Sequence, residues 1–114
     1  MNKILLKNLK QKELMVKRIG IDYKKIKYLE GNSLMICEEE VGYLSLKKDM
    51  NYYLDLKSKI DLILVHLDEN ISQFIYNEYL SNKSGNWWIY KYSRSTYYRI
   101  KHKAIDAFLE WWYV

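Results

Sequence analysis

Tyr92-Ser93-Arg94-Ser95-Thr96-Tyr97-Tyr98-Arg99-Ile100-Lys101-His102-Lys103-Ala104-Ile105 is the stretch that decides how this chain is read. Ser93 is a natural helix N-cap, because its hydroxyl can accept from a backbone N–H that the first turn leaves without a partner. Beyond it, Tyr97, Ile100, Ala104 and Phe108 recur at helical spacing, and Ile105 and Trp111 flank the stripe. Arg94, Ser95, Tyr98, Arg99 and His102 then share another face. The segment predicts a helix over 94–111, with one side made for a core and the other for an anionic, hydrogen-bonding surface.

Working backwards, Lys91-Tyr92 reads as a turn and Trp87-Trp88-Ile89-Tyr90 as a short apolar helix over 86–91. Ser81-Asn82-Lys83-Ser84-Gly85-Asn86 is the strongest loop signal in the chain. Before it, Asp68 caps a helix over 69–80 whose buried face is Ile71, Phe74, Ile75 and Tyr79. Helix, short helix and helix in this order predict a helix-turn-helix with one supporting helix in front. Further upstream a long helix is expected over 47–67. Its stripe of Leu46, Met50, Tyr53, Ile60, Leu64 and Leu67, interrupted by Lys57, serves either as a core face or as a dimer seam. Residues 3–29 read as one or two amphipathic helices, broken near Gly20. Gly31-Asn32-Ser33 reads as a loop, and 34–46 as a helix in preference to a strand. The fold class is therefore all-α: a helical bundle with a long central helix and a C-terminal helix-turn-helix. It divides into an N-terminal helical region, 1–45, with no assigned role, and a second region, 46–114.

Composition agrees with helices. The chain has 114 residues, 49% of them hydrophobic, with twelve Tyr and four Trp, so it can bury a core and is not disordered. It has no Pro and only four Gly, which suits uninterrupted helices. Lys outnumbers Arg sixteen to three, the bias of an AT-rich coding sequence, so the arginines are more informative than the lysines. Two of the three, Arg94 and Arg99, lie in the opening segment. Charge falls in three blocks: residues 1–29 carry +7, residues 30–80 carry −6, and residues 81–114 carry +4. Basic ends attract phosphate backbones through counterion release, although for residues 1–29 an ordinary solvated lysine face is an equal reading.

Several chemistries are excluded. Cys37 is the one cysteine, so no internal disulfide exists; it reads as a small buried hydrophobe. His66 and His102 are the two histidines and lack partners at metal-binding or catalytic spacing; His66 reads as a packed core residue. Glu38-Glu39-Glu40 reads as a solvated face or a contact for a basic partner. No Gly-rich phosphate loop is present, and nothing implies a cofactor or an enzyme. No apolar run reaches the ~18 residues of a membrane span, and lysines interrupt the N-terminus too soon for a signal peptide, so a cytoplasmic protein is expected. Trp111-Trp112-Tyr113-Val114 reads as a lid on the core in preference to an association patch.

Tyr92 to Arg99, followed by a basic helix with Ala104 and Ile105, resembles the last helix of sigma-factor region 4. It is closer still to small sigma-region-4-like regulators, the ArpU- or RinA-type late-transcription activators of Gram-positive phages. Leu67-Asp68-Glu69-Asn70-Ile71 through Tyr79-Leu80 is similar to the helix before their turn. The resemblance covers roughly residues 60–110. This chain departs from it in carrying bulky Trp87 or Trp88 on the second helix, where the family usually has a small residue, and Lys91 in the turn, where the family commonly has Gly. The resemblance implies double-stranded DNA as partner, with RNA polymerase or a second copy of the chain as a further contact. It implies that Arg94 and Ser95 reach base edges, that Ser93 and Thr96 cap the helix, and that Tyr98, Arg99 and His102 continue the reading face. Lys101 and Lys103 would touch phosphates. A protein-interaction or assembly module, dimerising through 47–67, and a small-terminase-like DNA packaging adaptor are the alternative readings.

Overall fold

The computed structural model describes residues 8–37 and 43–114, and the side chains of 8–28 and 51–114. Their fold is all-α, as the sequence predicts. Helix α1 spans Leu9–Cys37, α2 Tyr43–His66, α3 Glu69–Ile75 and α4 Arg94–Trp112. The expectations placed on Cys37, Glu38-Glu39-Glu40, Leu46 and Met50, and on the start of the helix read from residue 3, fall outside the described side chains.

Helical spacing builds one shared core. Val16, Ile19 and Tyr23 of α1 lie one above another and are almost completely buried in one cluster with Ile60 and Ile63 of α2, and Ile26 is buried further along α1. Ile71, Phe74 and Ile75 of α3 and Tyr97, Ala104, Ile105, Phe108 and Leu109 of α4 complete it. Leu56, Leu64 and Leu67 pack at its edge. The N-terminal region thus shares its hydrophobic core with the C-terminal one.

The helix expected over 69–80 is present but changes form. After Ile75 it widens into a π-turn, Tyr76–Leu80, closed by the Ser81 N–H donating to the Tyr76 carbonyl at 2.8 Å. This wide turn lets two consecutive side chains, Tyr79 and Leu80, enter the core together. Its backbone also meets α1 very closely. A Cβ on Gly20 would lie 2.3 Å from the Tyr79 carbonyl oxygen, so only glycine fits there. Gly20 therefore marks a close approach between elements, and α1 runs through it unbroken. The expected loop at Gly31-Asn32-Ser33 is likewise helical. A helix interior tolerates Gly at a cost of only about 1 kcal/mol, which a long flanking helix absorbs.

Two further expectations are corrected. Residues 86–91 are a run of tight turns, with no helix. Trp87, Ile89 and Lys91 each donate to the carbonyl three residues earlier, and only Tyr92 donates four residues back, onto Trp88. Six residues are too few to nucleate a helix unaided, and here the two indoles dictate the path. His66 is exposed, its Nδ1 2.9 Å from the Leu62 carbonyl oxygen and its ring 4.8 Å from that of Trp111. Trp111 is correspondingly 42% exposed, while Trp112 stacks on Phe108 beneath the Lys59 amine, so only part of the terminal aromatic cluster acts as a lid.

Candidate nucleic-acid interface

The start of α4 is fixed by its own sequence. Ser93 is extended, and its hydroxyl accepts from the Thr96 N–H at 3.2 Å while donating to the Thr96 hydroxyl at 2.9 Å. This is the cap that the spacing predicts, and it stops the helix from starting earlier. From there Arg94, Ser95, Tyr98, Arg99, His102 and Lys103 are all exposed. No Asp or Glu occurs anywhere in residues 79–105.

The exposed arc changes character halfway along the helix. Ile105 lies seven residues after Tyr98, and Leu109 seven after His102, so each falls on the same side as its predecessor. Yet Ile105 and Leu109 are buried. The second half of α4 is buried over a wider arc, whereas the first half keeps Tyr97 in the core and its outer arc projects.

A polar seam on the opposite side holds that first half. Glu78, in the π-turn, accepts from the Trp87 indole N–H at 2.8 Å and from the Tyr97 hydroxyl at 2.5 Å. Glu13, in α1, accepts from the Tyr79 hydroxyl at 2.9 Å and pairs with the Lys101 amine at 2.5 Å. Lys101 Nζ also lies 3.8 Å from Glu78, and its side chain is only 15% exposed. Aromatic rings close over this seam. Trp88 lies flat on Tyr97 with ring centroids 4.2 Å apart, and Trp87 meets Phe74 edge-on.

The seam shifts the affinities of its members for protons. Burial pushes the Tyr79 and Tyr97 hydroxyls well above the ordinary phenol range, and their carboxylate partners push them further. Burial acts to raise Glu13 too. Hydrogen bonds from Lys101 and Tyr79, with the charges of Lys101 and Lys17, outweigh it and leave the carboxyl below its usual value.

The structure thus brings eight of the nine expected residues to the outer surface or the cap of α4. Lys101 departs from them: two carboxylates hold its amine inside the seam, where a phosphate would have to displace them. The position was visible in the spacing, because Lys101 is four residues after Tyr97 and three before Ala104, on the buried stripe itself. Glu78 was missed for a related reason, since it follows Ile71, Phe74 and Ile75 at core spacing and a carboxylate there needs partners from elsewhere in the chain. Among the described residues no cluster of His, Cys, Asp and Glu could hold a metal, and no helix is long and apolar enough to cross a membrane. Comparison with protein-family models, with curated proteins and with solved structures finds no match, so the site is read from its own chemistry.

Proposed function

We propose that the protein is a non-enzymatic transcriptional regulator that binds duplex DNA through the N-terminal half of α4, with RNA polymerase as a second partner. The observation that carries this reading is the projecting, capped, acid-free arc of Arg94, Ser95, Tyr98, Arg99 and His102. Arg94 and Arg99 supply planar donor forks suited to guanine O6/N7 or to phosphate, and Lys103 adds a point charge for the backbone. Trp87 and Trp88 occupy the place of a second helix, so the reading needs a projecting helix held by a turn, without a standard helix-turn-helix pair. Selection from random duplex DNA at physiological salt tests it, and Arg94→Ala with Arg99→Ala should abolish binding to the selected sequence while helical content and melting stay unchanged. Wild-type protein that shows no salt-dependent binding to any duplex pool refutes it.

A second reading, an assembly module, draws on the outer face of α2, where Leu62 and Val65 are exposed. Sedimentation as a strict monomer removes it.

A further inference from the structure

Of five cations on the side of α1 opposite its buried stripe, Lys10, Lys17, Arg18 and Lys25 are exposed and Lys24 is half-buried. They do not form one uniform patch. An α-helix advances 100° per residue, so Lys10, Lys17 and Lys24, each seven apart, form a row along one edge, and Arg18 and Lys25 lie about 100° further round.

The seam fixes where the lysine row lies relative to α4. Lys10 and Lys17 stand at i−3 and i+4 of Glu13, the spacing of nearest neighbours on a helix surface. Glu13 holds Lys101 of α4 at 2.5 Å. The Lys101 amine in turn sits 5.7 Å from the ring of Tyr98, on the exposed arc. Lys17 is close enough for its charge to help keep Glu13 ionised. The two carboxylates at this junction share the single cation Lys101 and the neutral donors Tyr79, Tyr97 and Trp87, which leaves one negative charge there against three positive charges in the lysine row. Among the described residues, Lys10, Lys17 and Lys24 are paired with no carboxylate.

We propose that the row Lys10–Lys17–Lys24 is a second DNA contact, a rail that follows the phosphate backbone beside the groove entered by α4. The inference rests on the DNA reading of α4 and adds a surface to it. The row straddles the α4 junction between Lys10 and Lys17 and runs about 21 Å along α1, at 1.5 Å per residue. A partner of dense, regularly spaced negative charge fits it, and a second copy of the same basic face does not. Contacts of this kind fix register and add affinity without reading sequence.

The test compares two doubly substituted full-length proteins of equal charge on the duplex selected by the wild type. Lys10→Gln with Lys17→Gln should lower the slope of log K against log salt by about 1.8, since each phosphate contact contributes about 0.9. Its sequence preference and helical content should stay those of the wild type, and the Lys→Arg pair should restore the slope. Arg18→Gln with Lys25→Gln should leave the slope as it was. An unchanged slope in the first protein overturns the proposal, as does an equal fall in both, which would reduce it to net charge. Loss of binding to vesicles of phosphatidylserine and phosphatidylcholine by the first protein, with its DNA slope intact, would assign the row to a lipid surface and also overturn it. A wild type that binds no duplex refutes the α4 reading itself, a different result from any of these.

Discussion

Gly20→Ala is the sharpest test of how α1 is seated, because two physical effects predict opposite signs. Alanine is the better helix former by about 1 kcal/mol, and on propensity alone the substitution in the middle of a 29-residue helix should stabilise. The structure predicts the reverse. The new methyl group would sit 2.3 Å from the Tyr79 carbonyl oxygen and 3.1 Å from its carbon, where ordinary contact begins near 3.4 Å. The obstacle is backbone in a π-turn, so α1 and the turn must separate by about 1 Å. Overpacking of this kind costs about 1–3 kcal/mol, and the displacement also stretches the Tyr79–Glu13 hydrogen bond beside it. Setting the propensity gain against these costs leaves a net loss of about 1–2 kcal/mol, or about 4–8 °C in Tm for a chain of this size. Thermal melting followed by circular dichroism measures it. Gly85→Ala serves as the reference, because nothing lies within 4 Å of its added carbon, and it should melt within a few degrees of the wild type. A Gly20→Ala protein that melts higher than the wild type would refute the close packing of α1 on the π-turn.

Two further predictions concern the seam. Glu78→Gln keeps the side-chain shape but removes the charge that Trp87, Tyr97 and Lys101 surround, and it should cost about 1.5–3 kcal/mol, read in denaturant unfolding with tryptophan emission as probe; an unchanged midpoint would show that the carboxylate is replaceable. The pH dependence should be two-sided. The Glu13 carboxyl ionises below its ordinary 4.5 in the folded chain, so its contribution is present above that value and is lost as pH falls through the lowered one. Tyr79 and Tyr97 are shifted upwards, so theirs is complete below the ordinary 10.0 and is lost as pH rises beyond it. Glu13→Gln should flatten the acid fall in Tm, and Tyr79→Phe with Tyr97→Phe the alkaline one; variants that follow the wild-type curves would contradict this assignment.

What the sequence revealed was whatever depends on near neighbours. The Ser93 cap, the α3 stripe of Ile71, Phe74 and Ile75, and the exposed arc of α4 are set by contacts within one or two turns, and spacing reports those directly. Gly20 and Gly31 misled because local propensity treats glycine as a break, whereas one marks a close approach and the other lies inside a long helix. The Trp87-Trp88 segment misled for the opposite reason: its apolar run resembles a helix, but its path follows Phe74, Tyr97 and Glu78, partners far off in sequence. Spacing puts Lys101 on the buried stripe, but nothing adjacent to it announces the carboxylate that holds it there, Glu13, eighty-eight residues earlier.

The two halves of α4 give the helix the mechanics of a beam clamped at one end. Ile105, Phe108 and Leu109 form the clamp, and the Glu78–Tyr97 and Glu13–Lys101 contacts act as a prop along the first two turns. The outer arc of Arg94, Ser95, Tyr98 and Arg99 then has its wobble set by the stiffness of the prop beneath it. A stiff arc meets a partner with little ordering left to do, so the entropy of presenting Arg94 and Arg99 is met at folding. A change in the prop, at residues that face away from a partner on that arc, would therefore register in how long the complex lasts before it registers in what the complex recognises.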